Sequence, residues 1–491
     1  MANEGVAAIR GGVAVNERPN VVLICVDQWR GDCLSIAGHP VVQTPYLDAL
    51  SIEGTRFSRA YSACPTCIPA RASLYTGLTQ RSHGRVGYQD GVPWNYPVTI
   101  ASEFTANGYQ TQAVGKLHVY PERSQMGFQN VELHDGFLHF GRRANPDLGR
   151  IDDYIPWLRR ETGRPDADYY DHGIDCNSNV ARPWDKEEYL HPTNWVTSRS
   201  VDFLRRRDPR KPFFLYMGYH RPHPPYDPPA WAYEQYLHAD MPDVPRGDWS
   251  TDMPWSKQST HPTAGYGRMS DATLRQARAG YYGHMSHIDQ QIHRVVESLH
   301  QYQSGPTVIC FVSDHGELMG DHDLWRKTLP YEGSARVPMI LHAPHLKLQQ
   351  GRVCDDVVEL RDVFPTLLDC AGLAVPKSIE GQSILPRVRG EASAEWRHYL
   401  HGEHMYQGQS VHYIVDGHRK YIWLSGTGQE QLFDLKNDPT ELHDIAKQAM
   451  EDLQQMRGWI IKELTGREEG YVAGNQLIAG RPPKTVLSHL K

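Results

Sequence analysis

Nowhere in the chain do about 18 apolar residues run together, so no membrane-spanning helix is written into it. Its first residues, "MANEGVAAIRGGVAVNERPN", hold no apolar core of an export signal, and the expectation is a soluble, cytoplasmic protein. A basic excess is missing as well: 51 Lys and Arg against 58 Asp and Glu give a formal charge of −7. That balance argues against nucleic acid or an anionic membrane as partner, and any anion site must be a local positive focus. Cysteine is scarce. Eight, spread from position 25 to position 370, fit neither a disulfide framework nor a zinc cluster and read as buried free thiols. Repeats and low-complexity tracts are also lacking.

What is present is globular in proportion, with 40% hydrophobic and 22% charged residues. At 491 residues the chain exceeds one small core. We expect a large domain over 1–384 and a smaller one over 385–491. "NVVLICVD" is a β-branched apolar run ending in Asp27, as in a strand covered on both faces. "TVICFVSD" ends likewise in Asp314, "PFFLYMGYH" in His220 and "YQTQAVGK" in Lys116. Helical patterns alternate with these runs. "TPYLDALSIEG" has a Thr44 cap, a Pro45 first turn and a Gly54 stop, and residues 270–300 are apolar every three to four positions. Strand and helix in alternation predict an α/β fold with a doubly wound, mostly parallel sheet. Ligands of such sheets sit beyond the carboxyl ends of the strands, where these four runs leave Asp, Lys, His and Asp-His.

Residues 120–195 and 224–268 lack periodicity and are expected to be long loops wrapping the sheet and lidding the site. After a helix near 361–372, "WRHYLHGEH", "SVHYIVDGHRKYIWL" and "EQLFDL" alternate around "DG" and "GTG" turns. That pattern predicts an antiparallel sheet in the smaller α+β domain, with "DPTELHDIAKQAMEDLQQMRGWIIKEL" as a helix packed on it. The tail from Gly470 reads as solvated, the other reading being an arm on a neighbouring subunit.

The stretch "CPTCIPARASLYTG" at 64–77 poses the chemical question. A redox Cys64–Cys67 pair lacks a small βαβ domain around it, and a zinc pair lacks a second pair of ligands. Only Cys67 begins a C-x-P-x-R string, and "CIPARASLYTG" resembles the formylglycine signature of type I sulfatases, a branch of the alkaline-phosphatase-like superfamily. The resemblance continues in the family's order. "VDQ" at 26–28 is similar to its first metal segment, "TPYLDALSIEGTRFSRAY" to the helix before the nucleophile, and "GYQTQAVGKLH" to its G-K-x-H segment. "GYHRPHPPYDPP" is similar to its P-H segment, "SDHGELMGDHDLWRKTLPYEGSARVPMI" to its second metal site with a lysine, and "QLFDLKNDPTEL" to its C-terminal domain.

The resemblance implies an alkaline-phosphatase-like fold and a sulfuric ester hydrolase of arylsulfatase type. It implies conversion of Cys67 to formylglycine (3-oxoalanine) by a formylglycine-generating enzyme, and one divalent cation on Asp27, Gln28, residue 67, Asp314 and His315. Gln28 stands where many sulfatases carry a second Asp and offers only an amide oxygen. Mostly oxygen ligands favour Ca²⁺, with Mg²⁺ and Mn²⁺ as alternatives. Arg71, one helical turn after Cys67, would anchor the hydrated aldehyde. Lys116 and Lys327 would bind the sulfate, His118 would act as base, and His223 with Lys327 would serve the leaving oxygen. His220 would line the substrate pocket or merely end its strand. With 26 histidines in the chain, only those in motifs stand out. Asp321, His322 and Asp323 read as a loop network rather than ligands. The substrate would be an aryl sulfate or a sulfated carbohydrate, and the family admits a homo-oligomer. Three rivals stay open: a phosphonate monoester or phosphodiester hydrolase on the same framework, a non-catalytic sulfate-binding relative with an unmodified thiol, and a zinc phosphatase of the same fold.

Overall fold

Alternate residues of the run at 20–27 feed opposite faces of one sheet. Val21, Leu23 and Cys25 join one buried apolar cluster, and Val22, Ile24 and Val26 join another. A strand so buried must be central, and β1 (Asn20–Asp27) is. In a computed structural model describing residues 18–136, 139–253, 261–302, 305–391 and 395–490, it pairs in parallel with β5 (Phe213–Pro222) and β6 (Thr307–Ser313). The sheet also holds β2 (Thr55–Tyr61), β3 (Gln110–Gly115), β4 (Asn130–Leu133), β7 (Arg336–His342), β8 (Arg352–Cys354) and β9 (Val358–Glu359). Its order is β4-β3-β5-β1-β6-β7-β2-β8, with β9 also on β2. Only β7 runs against its neighbours, so the sheet is mostly parallel, as expected. The expectation about a leader concerns residues 1–17, outside the described set, as are 254–260 of the second long loop.

Helices cover both faces. α1 (Pro45–Glu53), the helix Pro192–Arg206 and the long helix Asp271–Gln301 close one side. α2 (Cys67–Thr76), Ile100–Ala106 and Val363–Cys370 close the other. Thr44 and Gly54 bracket α1 as expected, though the Thr44 hydroxyl bonds Asp48 and Ser35 instead of an end-turn N–H. Among the described residues no helix is long and apolar enough to cross a membrane.

The C-terminal strands β10 (Leu400–Tyr406), β11 (Gln409–Val415), β12 (Arg419–Leu424) and β13 (Glu430–Asp434) form an antiparallel meander. One face packs Val411, Tyr413, Ile422 and Phe433 against Tyr61, Leu329 and Tyr331 of the larger body. The other packs Ile414, Trp423 and Leu432 against Leu453, Met456 and Ile460 of the helix Met450–Leu464. That helix begins twelve residues later than its sequence pattern predicts, at 450 instead of 438. Carboxylates explain the delay: Asp438 accepts from the His443 N–H at 2.8 Å, and Asp444 accepts from the Leu432 and Ala446 N–H groups at 3.0 Å. These side chains offer the backbone turn bonds that compete with a helix.

The tail corrects a second expectation. Residues 473–476 and 479–482 are exposed as expected, but residues 485–487 lie along 84–86 of their own chain. Val486 bridges Arg85, Leu487 N–H donates to Gly84 O at 2.8 Å, and Val86 N–H to Thr485 O at 3.0 Å. Val486 and Leu487 are buried there. Leu487→Pro removes one donor, and a lost hydrogen bond costs about 0.5–1.5 kcal/mol. Amide exchange of 84–90 should then accelerate while exchange in β1 is unchanged; equal protection of 84–90 in both proteins would refute the strap.

Candidate active site

Parallel strands end together, and the pairing register of β1 with β5 and β6 brings Asp27, His220 and Asp314 to one edge. Lys116, just past β3, joins them through the β3–β5 pairing. Across this edge lies the first turn of α2, with Cys67 as its first residue. The Cys67 Sγ lies 3.6 and 3.7 Å from the Asp27 carboxylate oxygens, 3.3 Å from His315 Nε2 and 3.3 Å from Lys327 Nζ. Cys64 points elsewhere, fully buried, and all eight cysteines are unpaired.

Charges at this edge are matched pairwise. Lys116 Nζ binds Asp27 Oδ2. Arg71 donates from Nε to Asp314 Oδ2 at 3.0 Å and from Nη1 to Tyr216 Oη at 2.7 Å and Lys116 O at 3.1 Å. Asp27, Asp314, Arg71 and His315 have no exposure to solvent. Burial opposes the Asp27 charge, but Lys116, with Lys327 behind it, holds this carboxyl well below its usual range. Burial and the Asp27 charge push Asp314 the other way. Burial also works against a charged His315, yet Asp314 lifts its imidazole to about 9. Burial and Asp27 oppose a Cys67 thiolate, but Lys116, Lys327 and His315 together bring the thiol well below its usual value.

The site residues with left-handed backbone are held there by buried acceptors. Gln28 (φ 74°) donates its N–H to Asp314 Oδ1 at 3.1 Å, and His118 (φ 58°) to Asp135 Oδ1 at 2.9 Å. Arg326 (φ 69°) donates to Glu317 Oε1, and Thr328 (φ 87°) to Pro65 O at 3.0 Å. Such conformations cost roughly 1–3 kcal/mol each and persist where surrounding structure imposes them. Glu317 also fixes the Gln28 side chain: Nε2 donates to its carboxylate, which turns Oε1 toward Lys327 Nζ at 2.9 Å.

One ligand atom each from Asp27, Cys67, Asp314 and His315 lies within 4.8 Å of the others. His315 Nδ1–H donates to Gly316 O at 3.0 Å, so Nε2 is the nitrogen turned to this cluster, and a cation there would take the place of its proton. Two carboxylates, an imidazole nitrogen and the nearby Gln28 oxygen form a donor set suited to a divalent cation. Above them opens a cavity of about 400 Å³ whose lining includes Cys67, Lys116, His118, His220, His223 and Lys327. Its lining also includes Tyr88, Asp90, Phe140, Trp325, Arg326 and Tyr406. Both stretches expected to be loops contribute, through His139, Phe140, Cys176 and Asn177 and through Gly265, although they are not loops throughout: they carry β4 and helices at Tyr154–Thr162 and Ala230–Leu237. Asp321, His322 and Asp323 stay out of the lining, bonded to Arg30, the Gly247 N–H and Arg246.

A family model described as Sulfatase matches residues 19–373. The chain belongs to the sulfatase family. A second family model, the N-sulphoglucosamine sulphohydrolase C-terminal region, matches 320–467. This sulfatase is 49% identical over 483 residues to an arylsulfatase of Clostridium perfringens, covering 96% of this chain and 100% of that one. It is 29% identical to the multifunctional alkaline phosphatase superfamily protein PehA of Trinickia caryophylli, over 87% of this chain and 91% of the relative. The crystal structure of the phosphonate monoester hydrolase of Agrobacterium radiobacter matches it with a TM-score of 0.75 at 26% identity, over 91% of this chain and 95% of that one. By family the protein is a sulfuric ester hydrolase with an alkaline-phosphatase-like fold.

Sequence reading passed over three carboxylates of this sulfatase. Glu317 and Asp135 hold the strained backbone, and Asp90 accepts from Tyr88 Oη at 3.0 Å and lies 4.0 Å from His118 Nε2. Glu317 had a signal, two positions after His315; "ELHDG" around Asp135 carries none. The Arg71–Asp314 pair yields a direct test. Arg71→Met leaves a buried carboxylate without its guanidinium, and breaking such a pair costs about 3–5 kcal/mol. The urea midpoint should fall accordingly; an unchanged midpoint would show that the pair contributes nothing.

Proposed function

We propose that the protein hydrolyses sulfate monoesters, R–O–SO₃⁻ + H₂O → R–OH + HSO₄⁻, with residue 67 as nucleophile. One observation carries this reading: the Cys67 side chain stands at the cavity floor, between two ammonium groups and the Asp27–Asp314–His315 cluster. A formylglycine-generating enzyme would convert its thiol to the aldehyde. The hydrate of that aldehyde supplies one hydroxyl to attack sulfur and a second to expel sulfate, splitting one hard step into two.

A divalent ion fits the donors Asp27, Asp314, His315 and residue 67, with Gln28 offering Oε1; oxygen predominance favours Ca²⁺ over Mn²⁺ or Mg²⁺. When bound, such an ion polarises the sulfuryl oxygens. Lys116 and Lys327 neutralise charge on the transferring group, and Arg71 keeps Asp314 oriented. His223 donates Nδ1–H to Pro224 O at 2.8 Å, and burial with Lys327 keeps its imidazole neutral, well below its usual pKa. Its Nε2 therefore presents a lone pair, and the proton for the leaving oxygen falls to Lys327. His118 is the reverse case. Burial and Lys116 oppose its charge, but Asp90 raises its pKa, which suits a base that must hold the proton it takes. Such positioned groups contribute about 10²–10⁴ each in rate. His220 accepts from Arg221 at 2.6 Å and borders the cavity beside His223, as a pocket wall.

The likeness to a phosphonate monoester hydrolase supports a second activity on phosphonate monoesters. These substrates also carry one negative charge at the reacting centre. We expect 4-nitrophenyl sulfate to have the higher kcat/KM and phenyl phosphonate esters to be turned over more slowly. Peptide mass spectrometry of active protein should show formylglycine at position 67, and Cys67→Ala should abolish sulfate release with the fold intact. Unmodified thiol in fully active protein, or turnover by the Ala variant, would defeat the reading and leave the thiol-bearing alternatives.

A further inference from the structure

We propose that Arg326 is the receptor for a second oxyanion, a carboxylate or a further sulfate, on the alcohol portion of the substrate. The inference rests on the sulfate-ester reading of the same cavity. Arg326 lines that cavity beside Trp325, Lys327 and Tyr406. Its backbone is fixed at both ends: the N–H donates to Glu317, and the carbonyl accepts from the Leu318 N–H at 2.7 Å. Its side chain is not answered in the same way. Nε and Nη2 are buried from solvent with no hydrogen-bond partner, and among the described residues no carboxylate forms an ion pair with the guanidinium.

Buried donors without partners are rare in folded proteins and call for an explanation. The other lysine and arginine side chains at the site have one. Lys116 meets Asp27, Arg71 meets Asp314, and Lys327 meets the Gln28 oxygen and Cys67. A sulfate monoester brings a single negative charge, to which both lysines already answer, so the guanidinium is surplus to the sulfuryl group. Asp90 lies in the same cavity but is engaged with Tyr88 and faces His118. A planar fork of N–H donors matches a carboxylate or sulfate bidentately, which an ammonium cannot do. The preferred substrates are therefore esters of alcohols that are themselves acidic.

Calorimetry with sulfonates, which cannot be hydrolysed, separates this claim from turnover. Benzenesulfonate is the monoanionic reference; 4-sulfobenzoate and benzene-1,4-disulfonate add the second charge as carboxylate or as sulfate mimic. The wild type should bind one or both dianions at least tenfold more tightly than the reference, and the tighter one identifies the group. Arg326→Met should remove the ratio and Arg326→Lys should keep part of it, each at an unchanged melting temperature. Equal affinities in the wild type, or a ratio that survives in Arg326→Met, would overturn the assignment. Failure of the wild type to hydrolyse any sulfate ester would instead count against the proposed reaction.

Discussion

Two carboxylates that cannot reach water, Asp27 and Asp314, end neighbouring parallel strands, and their repulsion organises the molecule's chemistry. Unpaired buried charges are penalised by several kcal/mol each, so they persist only with close compensation. Arg71 reaches Asp314 from α2, Lys116 reaches Asp27 from the end of β3, and His315 leans between them. Two carboxylates against Arg71, Lys116 and Lys327, with His315 lifted toward its charged form, leave a net positive charge before any ion binds. On a body of net charge −7, that surplus lies at the floor of a 400 Å³ cavity. A bound cation would deepen it. Attraction of an anionic ester thus follows from how the sheet hides its acids.

Much of this was legible in the sequence, because the physics that decides it is local or topological. A β-branched run ending in Asp says central strand and strand terminus together, and parallel order then gathers such termini at one edge. The spacing of Cys67 and Arg71, four residues apart, places both on one helix face when the helix forms. These rules assembled Asp27, Lys116, His220, Asp314 and His315 without long-range knowledge.

Where the outcome depended on a distant partner, the pattern misled or stayed silent. Residues 438–449 carry helical spacing, yet Asp438 and Asp444 give their backbone neighbours a better offer. The tail looks polar, but Val486 and Leu487 find burial almost four hundred residues upstream, against 84–86. The tasks of Glu317 and Asp135 were hidden for a related reason. A motif names residue types, whereas their task is to accept the N–H groups of residues whose left-handed backbone no sequence announces.

The floor of the cavity and the rest of its lining answer to different constraints. At the floor, sulfuryl and phosphoryl esters share charge and tetrahedral geometry, so the buried acids and their cations separate them poorly. Selection must then come from the rest of the lining, where Tyr88, Phe140, Trp325 and Tyr406 supply aromatic surface and Asp90 and Arg326 supply charges of opposite sign. A carboxylate and a guanidinium in one cavity are not equivalent to an acidic alcohol: its anionic group can be satisfied at Arg326 and is repelled at Asp90. Floor chemistry of this kind sets the reaction class, and the polarity of the remaining lining sets which ester arrives in a productive pose.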